Sequence, residues 1–130
     1  MSDGPATAFP TATDAQLAVA RLCEMSSDAR GCALLDLAGE PLAASGELDR
    51  WGEAARGFLA AADAAAGEPA THAHVATEDG EAFAVRQGGL AMVAVAERFT
   101  LASLLLCDMR AVLRDLARAG APLASAGGRS

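Results

Sequence analysis

Two continuous apolar stretches decide the fold, GCALLDL at residues 31–37 and LAMVAVAE at residues 90–97. Each has the length of a strand, and neither alternates apolar with polar side chains, which is typical of strands covered on both faces. We therefore expect both stretches to lie at the centre of a sheet. Residues 42–45 and 72–77 are predicted to form shorter, less apolar strands at the edges of the sheet. For the first of these, Pro41 adds a reason, because proline cannot donate a main-chain hydrogen bond to a neighbouring strand.

Three helices accompany the strands in the predicted order α-β-β-α-β-β-β-α. The fourth strand, over residues 82–86, follows a tight Asp-Gly turn. The predicted helices span 13–26, with Thr13 and Gln16 as a capping box, 50–66, with Asp49 and Gly67 as caps, and 100–119, with Thr100 as cap.

These constraints predict one α/β domain of the α+β type, with a single five-stranded, mostly antiparallel sheet of order 2-1-5-4-3. The first and last helices cover one face of the sheet, and the middle helix covers the other. The domain is predicted to span residues 13–119, between disordered tails at 1–12 and 120–130 that are poor in large apolar side chains. The predicted core stripes are Leu17, Val19, Leu22, Cys23 and Met25 in the first helix, and Leu101, Leu105, Met109, Val112 and Leu116 in the last.

Composition excludes several classes of protein. The 130 residues carry a formal net charge of −7 and 4% aromatic residues, which argues against a nucleic-acid binder. Arginine supplies every basic residue and 34 residues are alanine, as is typical of a GC-rich genome. The chain has no signal-peptide pattern, no apolar run long enough to span a bilayer, and no CxxC pair among Cys23, Cys32 and Cys107. We therefore expect a cytoplasmic protein with reduced thiols and no membrane insertion.

The middle helix carries small residues where a helix normally shows charge to water. One face is expected to pack on the sheet through Trp51, Ala55, Phe58, Leu59 and Ala62. The opposite face consists of Gly57, Ala60, Ala61 and Ala64. Either an alanine-rich genome filled ordinary surface positions, or this face is a second packing surface that lets another helix come close.

The chain lacks the common catalytic motifs, since GxxxxGK[ST], GxGxxG and GxSxG are all absent. Asp36 and Asp108 have apolar neighbours, an environment found around some catalytic carboxyls. A role in fixing the following turn is favoured for Asp36, and a position at the margin of a helix stripe for Asp108. Glu78, Asp79 and Glu81 form an acidic turn that is either solvated or docks a basic surface. We predict that the chain is not an enzyme and has no cofactor.

His72 and His74 lie two residues apart on the third predicted strand, so both imidazoles point to one face of the sheet. A metal site needs further ligands, and none is evident nearby, so two half-exposed histidines on an edge strand is the favoured interpretation. If this strand pairs antiparallel with its own copy near residue 73, four imidazoles converge. Such a cluster can bind a metal or titrate near neutral pH.

Three stretches and their order carry a resemblance to a known family. They are residues 31–43 (GCALLDLAGEPLA), the middle helix up to Gly67, and residues 89–98 (GLAMVAVAER) with the last helix. Together they resemble the roadblock/LC7 family, whose bacterial members include the MglB-like regulators of small Ras-like GTPases. The resemblance covers residues 13–118 and consists of hydrophobic patterns, parts of which GAF, PAS, longin and profilin-like domains share.

The resemblance implies a non-enzymatic, homodimeric signalling module that regulates or scaffolds a small Ras-like GTPase. Family members pack the middle helix and the third strand against their copies, which implies a dimer interface at Gly57, Ala60, Ala61, Ala64, His72 and His74. The candidate GTPase-binding residues on the middle helix are Arg50, Glu53, Arg56 and Asp63. Two alternatives stay open: a small GAF- or PAS-like sensory domain that binds a ligand, and an enzyme that uses Asp36, Asp108 and the two histidines.

Overall fold

The computed structural model describes residues 10–120, and the element order is the predicted one. In chain order the elements are α1 (Ala12–Met25), β1 (Ala29–Asp36), β2 (Pro41–Ala44), α2 (Leu48–Ala66), β3 (His72–Ala76), β4 (Glu81–Gln87), β5 (Leu90–Ala96) and α3 (Ala102–Gly120). The predicted tails lie outside the described residues, except for residues 10–12 and 120.

The five strands form one antiparallel sheet of order β2-β1-β5-β4-β3, which confirms the predicted topology. The two continuous apolar stretches form the buried parts of β1 and β5, which pair with each other at the centre. Leu37, at the end of the first stretch, lies outside β1 and is 65% exposed. β2 and β3 lie at the edges, as expected. In β3 only Ala73 is partly buried, and the other four residues are exposed.

Two apolar layers hold the helices on opposite faces of the sheet, again as predicted. Between the sheet and α1 with α3, the large buried side chains include Val19, Leu22, Leu34, Phe83, Val85, Leu90, Met92, Leu105, Met109, Val112, Leu113 and Leu116. Between the sheet and α2, the core consists of Ala33, Leu35, Ala44, Ala55, Leu59, Ala84, Ala91 and Val93, with Trp51 and Phe58 partly buried against it. Small side chains therefore make up much of the α2 layer.

Two predicted caps of the outer helices are wrong. α1 is capped by Thr11 rather than Thr13, because the Thr11 hydroxyl accepts a hydrogen bond from the Asp14 N–H at 3.0 Å. Gln16 does not close a capping box, since its Nε2 donates to a main-chain carbonyl of β2 at 3.0 Å. Thr100 does not cap α3, because its hydroxyl donates to the preceding loop at the Glu97 carbonyl.

The middle helix also begins before its predicted cap. Asp49 lies in the first turn of α2, and Glu47 occupies the N-cap position without a side-chain cap. The predicted C-terminal end is confirmed, since Gly67 adopts the left-handed conformation with φ of 77° and its N–H bonds to the Asp63 carbonyl. Glycine suits this position because it has no Cβ to clash.

Three of the predicted core leucines and methionines are exposed. Leu17 is 63% exposed, Met25 41% and Leu101 64%. The true core faces contain residues that were passed over, Ala15 and Ala18 in α1 and Leu113 in α3. None of the helices within residues 10–120 has the length and apolar character of a membrane-spanning segment.

Candidate functional site

An open apolar groove of about 590 Å³ lies between α2 and the edge strand β3. Its walls include Phe58, Ala61, Ala62 and Ala65 on the helix and Ala73 and Val75 on the strand. Val75 is 46% exposed there. No Asp, Glu or Arg lines the groove, and His72 and His74 border it along the strand edge, so most of its surface is apolar and suited to being covered by a partner.

The small face of α2 adjoins this groove. Its predicted members Gly57, Ala60, Ala61 and Ala64 are all exposed. Ala61 also lines the groove, and the space beyond Gly57 is open, with no atom within 4 Å of the place where a Cβ would lie. The small face and the groove therefore form one continuous, uncharged surface on α2.

The free edge of β3 presents unpaired main-chain groups beside the groove. On the edge of β3 that pairs with β4, the Arg86 N–H donates to the Thr71 carbonyl, and the Thr77 N–H donates to the Gly80 carbonyl. Because antiparallel pairs alternate, odd-numbered residues of β3 bond to β4, and the main-chain groups of His72, His74 and Ala76 face outward. β3 has no proline and no charged side chain to protect this edge.

His74 is held against the sheet on the face opposite to α2. Its ring stacks on the buried Phe83 ring, with centroids 4.4 Å apart and planes 5° apart. Its Nε2 lies 2.8 Å from Oε1 of Glu81, and the other carboxylate oxygen of Glu81 accepts the Phe99 N–H at 2.6 Å. Glu81 is 8% exposed, so the expectation that it belongs to a solvated turn is wrong.

These contacts stabilise the charged form of Glu81. The hydrogen bond from His74 holds the pKa of the Glu81 carboxyl below its ordinary value, burial opposes this, and the Phe99 N–H adds to the lowering. The same bond fixes the backbone of Phe99, which has a φ of 63°, rare for a bulky residue. Glu81 thereby connects the edge strand to the loop before α3.

The candidate GTPase-binding residues of α2 divide into two groups. Arg50 and Glu53 are exposed near the start of the helix. Asp63 instead forms a bidentate ion pair with Arg86 of β4, at 2.7 and 2.9 Å, and this hydrogen bonding lowers the pKa of the Asp63 carboxyl. Arg56 donates to the Gly39 carbonyl at 2.9 Å. Asp63 and Arg56 therefore have structural contacts within the chain.

The residues of the enzyme alternative are not brought together. Asp36 accepts hydrogen bonds from the Ala38 and Glu40 N–H groups, both at 2.9 Å, as expected for fixing its turn. It lies on β1, which two strands, β5 and β4, separate from His74 on β3, while Asp108 lies on α3. Within residues 10–120, no group of three His, Cys, Asp or Glu side chains could hold a metal ion.

The cysteines are free thiols in different surroundings. Cys32 is buried, and burial raises the pKa of its thiol above the ordinary value. Cys23 is partly buried, and Cys107 is exposed.

The sequence did not indicate the contacts of Phe83, Arg86 and Phe99, and it placed Glu81 in an acidic turn rather than beside His74. Alternation along β4 contains a signal for Glu81, because residues 81, 83 and 85 share the core face. The tight turn before β4 also sets the register that brings His74 opposite Phe83. The ion pair between Asp63 and Arg86 had no local signal, since it joins a helix to a strand 23 residues later.

No protein-family model and no curated protein matches the sequence, but several solved structures match the fold. A roadblock/LC7 domain from Streptomyces avermitilis has a TM-score of 0.65 and 16% identity, over 77% of this chain and 92% of that domain. MglB from Myxococcus xanthus has a TM-score of 0.68 and 15% identity, over 85% and 90% of the two chains. An MglB with a tetrameric arrangement has a TM-score of 0.64 and 18% identity, over 85% and 90%. The chain therefore has the roadblock/LC7 fold.

Proposed function

We propose that this chain is a homodimeric, non-catalytic interaction module that binds a small Ras-like GTPase or a related signalling complex. The observation that carries the proposal is the free edge of β3 lying beside the apolar groove and small face of α2. The roadblock/LC7 fold supports this choice of function over the GAF- or PAS-like alternative. Its sequence pattern resembles that of the GTPase regulators in that family.

A second copy of the chain is the occupant that fits this surface. A two-fold axis beside β3 lets the strand pair with itself, which satisfies the main-chain groups of His72, His74 and Ala76. The same axis brings two small α2 faces together, and small residues let helix backbones approach closely. The groove is uncharged, so two copies that each carry a net charge of −7 meet where their repulsion is weakest.

Light scattering on a sizing column tests the dimer. We expect the wild-type chain to have the mass of two copies. Ala61→Arg places a charged side chain at the groove and is expected to yield a monomer, because an unpaired charge buried in an interface is costly. The matched control is Ala20→Arg on α1, which is also an exposed helical alanine and is expected to leave the dimer intact. A wild-type monomer at every concentration would exclude this assembly.

Arg50 and Glu53 are the residues we assign to GTPase contact, because they are exposed at the start of α2 next to the small face. Charge exchange at rim positions mainly changes association rates and their salt dependence. The test is binding of the dimer to small Ras-like GTPases from the same genome, loaded with GDP or with a non-hydrolysable GTP analogue.

We expect Arg50→Glu to weaken GTPase binding without changing the mass of the dimer. Arg114→Glu on the exposed side of α3 serves as the matched charge control. Binding to none of the GTPases in either nucleotide state would contradict the regulatory function. It would leave the dimer untouched.

A further inference from the structure

The side chains of His72 and His74 lie on the sheet face opposite to α2, while both residues also border the groove along the edge of β3. His74 pairs with Phe83, whose side chain lies in the layer under α1 and α3, and His72 lies two residues before it on the same face. Both residues also direct their main-chain groups outward. Their imidazoles therefore lie at the strand that a second copy would continue.

The contact with Glu81 prepares the His74 ring to be a ligand. A carboxylate can only accept, so His74 donates from Nε2, and in the neutral imidazole Nδ1 has a lone pair that can bind a metal. Glu81 itself is fixed by the Phe99 N–H and is more than nine-tenths buried. Histidines that bind metals typically donate their second ring nitrogen to a carboxylate in this way, which fixes the orientation of the ring.

Pairing of β3 with its copy multiplies these ligands. When β3 pairs antiparallel with its copy, one residue lies opposite the same residue of the other copy. This residue is Ala73 in one register and His74 in the next. The first register sets His72 opposite His74, and the second sets His74 opposite His74, with Cα atoms about 5.5 Å apart. In the first register the two His72–His74 pairs are diagonal neighbours, with Cα atoms about 7–8 Å apart. In the second register the two His72 residues lie on opposite sides of the His74 pair. The first register, centred on Ala73, therefore brings four imidazoles together on one face of the joined sheet.

We propose that this four-imidazole cluster binds one divalent transition-metal ion for every two copies of the chain. Imidazole nitrogen favours zinc, copper and nickel over magnesium and calcium. The site rests on the proposed dimer, since a single chain supplies two of the four rings. Glu81 orients His74 in each copy and does not contact the ion.

Calorimetric titration of the tag-free protein with zinc, and separately with nickel, tests the site. We expect one ion for every two chains. His74→Ala should abolish binding, and His72→Ala should weaken it by about tenfold or more. Glu81→Gln should weaken it by about 10- to 100-fold, as for other residues that orient a ligand.

Two variants serve as controls. Glu78→Gln neutralises an exposed carboxylate three residues before Glu81 and should leave the affinity unchanged. Cys107→Ser removes the exposed thiol and should also leave it unchanged.

The outcomes separate this site from the proposed dimer. A dimer that binds neither zinc nor nickel would overturn the metal site and leave the proposed function standing. One ion per single chain without association would overturn the shared site, as would an affinity that survives His74→Ala. A monomer that binds no metal would remove both proposals.

Discussion

Replacing Gly31 by alanine is expected to destabilise the contact between β1 and α2. A Cβ at Gly31 would lie 2.7 and 2.8 Å from Cη2 and Cζ2 of Trp51 and 2.6 Å from Oγ of Ser45. Non-bonded carbon atoms need about 3.5 Å, so the indole ring must move by roughly 0.8 Å. The Ser45 hydroxyl accepts the Cys32 N–H at 3.0 Å, and moving it away weakens that hydrogen bond.

The expected cost follows from these opposing contributions. Overpacking a close-packed site costs about 1–3 kcal/mol. Loss of the bond from Cys32 to Ser45 falls within about 0.5–1.5 kcal/mol. Alanine is better than glycine inside a strand by about 0.5–1 kcal/mol. Partial relaxation of the indole, which is half-buried, keeps the balance near a loss of about 1–2 kcal/mol in the free energy of unfolding.

Urea denaturation followed by circular dichroism measures this loss in a double-mutant cycle. The second substitution is Trp51→Phe, because a phenyl ring lacks the two indole atoms that clash. The cost of Gly31→Ala should be smaller in the Trp51→Phe background by at least about 0.5 kcal/mol, since the two residues are in contact. An equal cost in both backgrounds would refute the clash, and so would a Gly31→Ala protein as stable as the wild type.

Three further predictions test the packing and the ion pair. Leu113→Ala should lower the free energy of unfolding by about 2–5 kcal/mol in urea denaturation, because Leu113 is fully buried. Leu104→Ala should lower it by about 0.5 kcal/mol or less, because Leu104 is 57% exposed. Equal losses would contradict the assignment of Leu113 to the core face of α3 and of Leu104 to its exposed face. Thr11→Ala should cost about 1 kcal/mol in the same assay through loss of the α1 cap. The Asp63 carboxyl has a lowered pKa in the folded chain, so its contribution is present above the ordinary Asp pKa of about 3.9 and is lost as the pH falls below it. Asp63→Asn should therefore flatten the decline of the melting temperature below about pH 4, and an unchanged decline would show that the Arg86 pair does not contribute.

The sheet order could be predicted because two residue patterns constrain it strongly. A run of large apolar side chains on both faces requires cover on both faces, and β1 and β5 are the strands with such runs. Two central strands and two edge strands leave few topologies. The order β2-β1-β5-β4-β3 is among them.

The helix faces were harder to predict because alanine is so abundant in this chain that its position does not indicate the core. The core of α1 follows i, i+3, i+4, i+7 spacing at Ala15, Ala18, Val19 and Leu22, and two of these are alanines. In α3, Leu101 precedes the first helical residue, so it does not continue the stripe. Leu113, four residues after the buried Met109, lies on the same face of α3 and belongs to the core.

In the candidate site, features that are regular along one element could be predicted, and contacts between elements could not. The sequence indicated the small face of α2 and the histidine pair of β3, because both are regular along one element. It did not indicate that Glu81 bonds to His74, because this contact depends on the register of two strands around a turn. The ion pair of Asp63 with Arg86 likewise depends on how α2 crosses the sheet.

Alanine occurs in two kinds of surroundings in this molecule, buried in the sheet and exposed on α2. Ala33, Ala44, Ala84 and Ala91 are buried on the side of the sheet that faces α2, where small side chains let the helix pack closely. Ala61 on α2 has the same side chain and is exposed, so residue type alone does not distinguish an interface from an ordinary surface. What distinguishes it is the neighbouring strand, since β3 carries main-chain donors and acceptors that only another strand or water can satisfy. We therefore base the proposed interface on the uncharged face of α2 together with this edge, and not on the alanines alone.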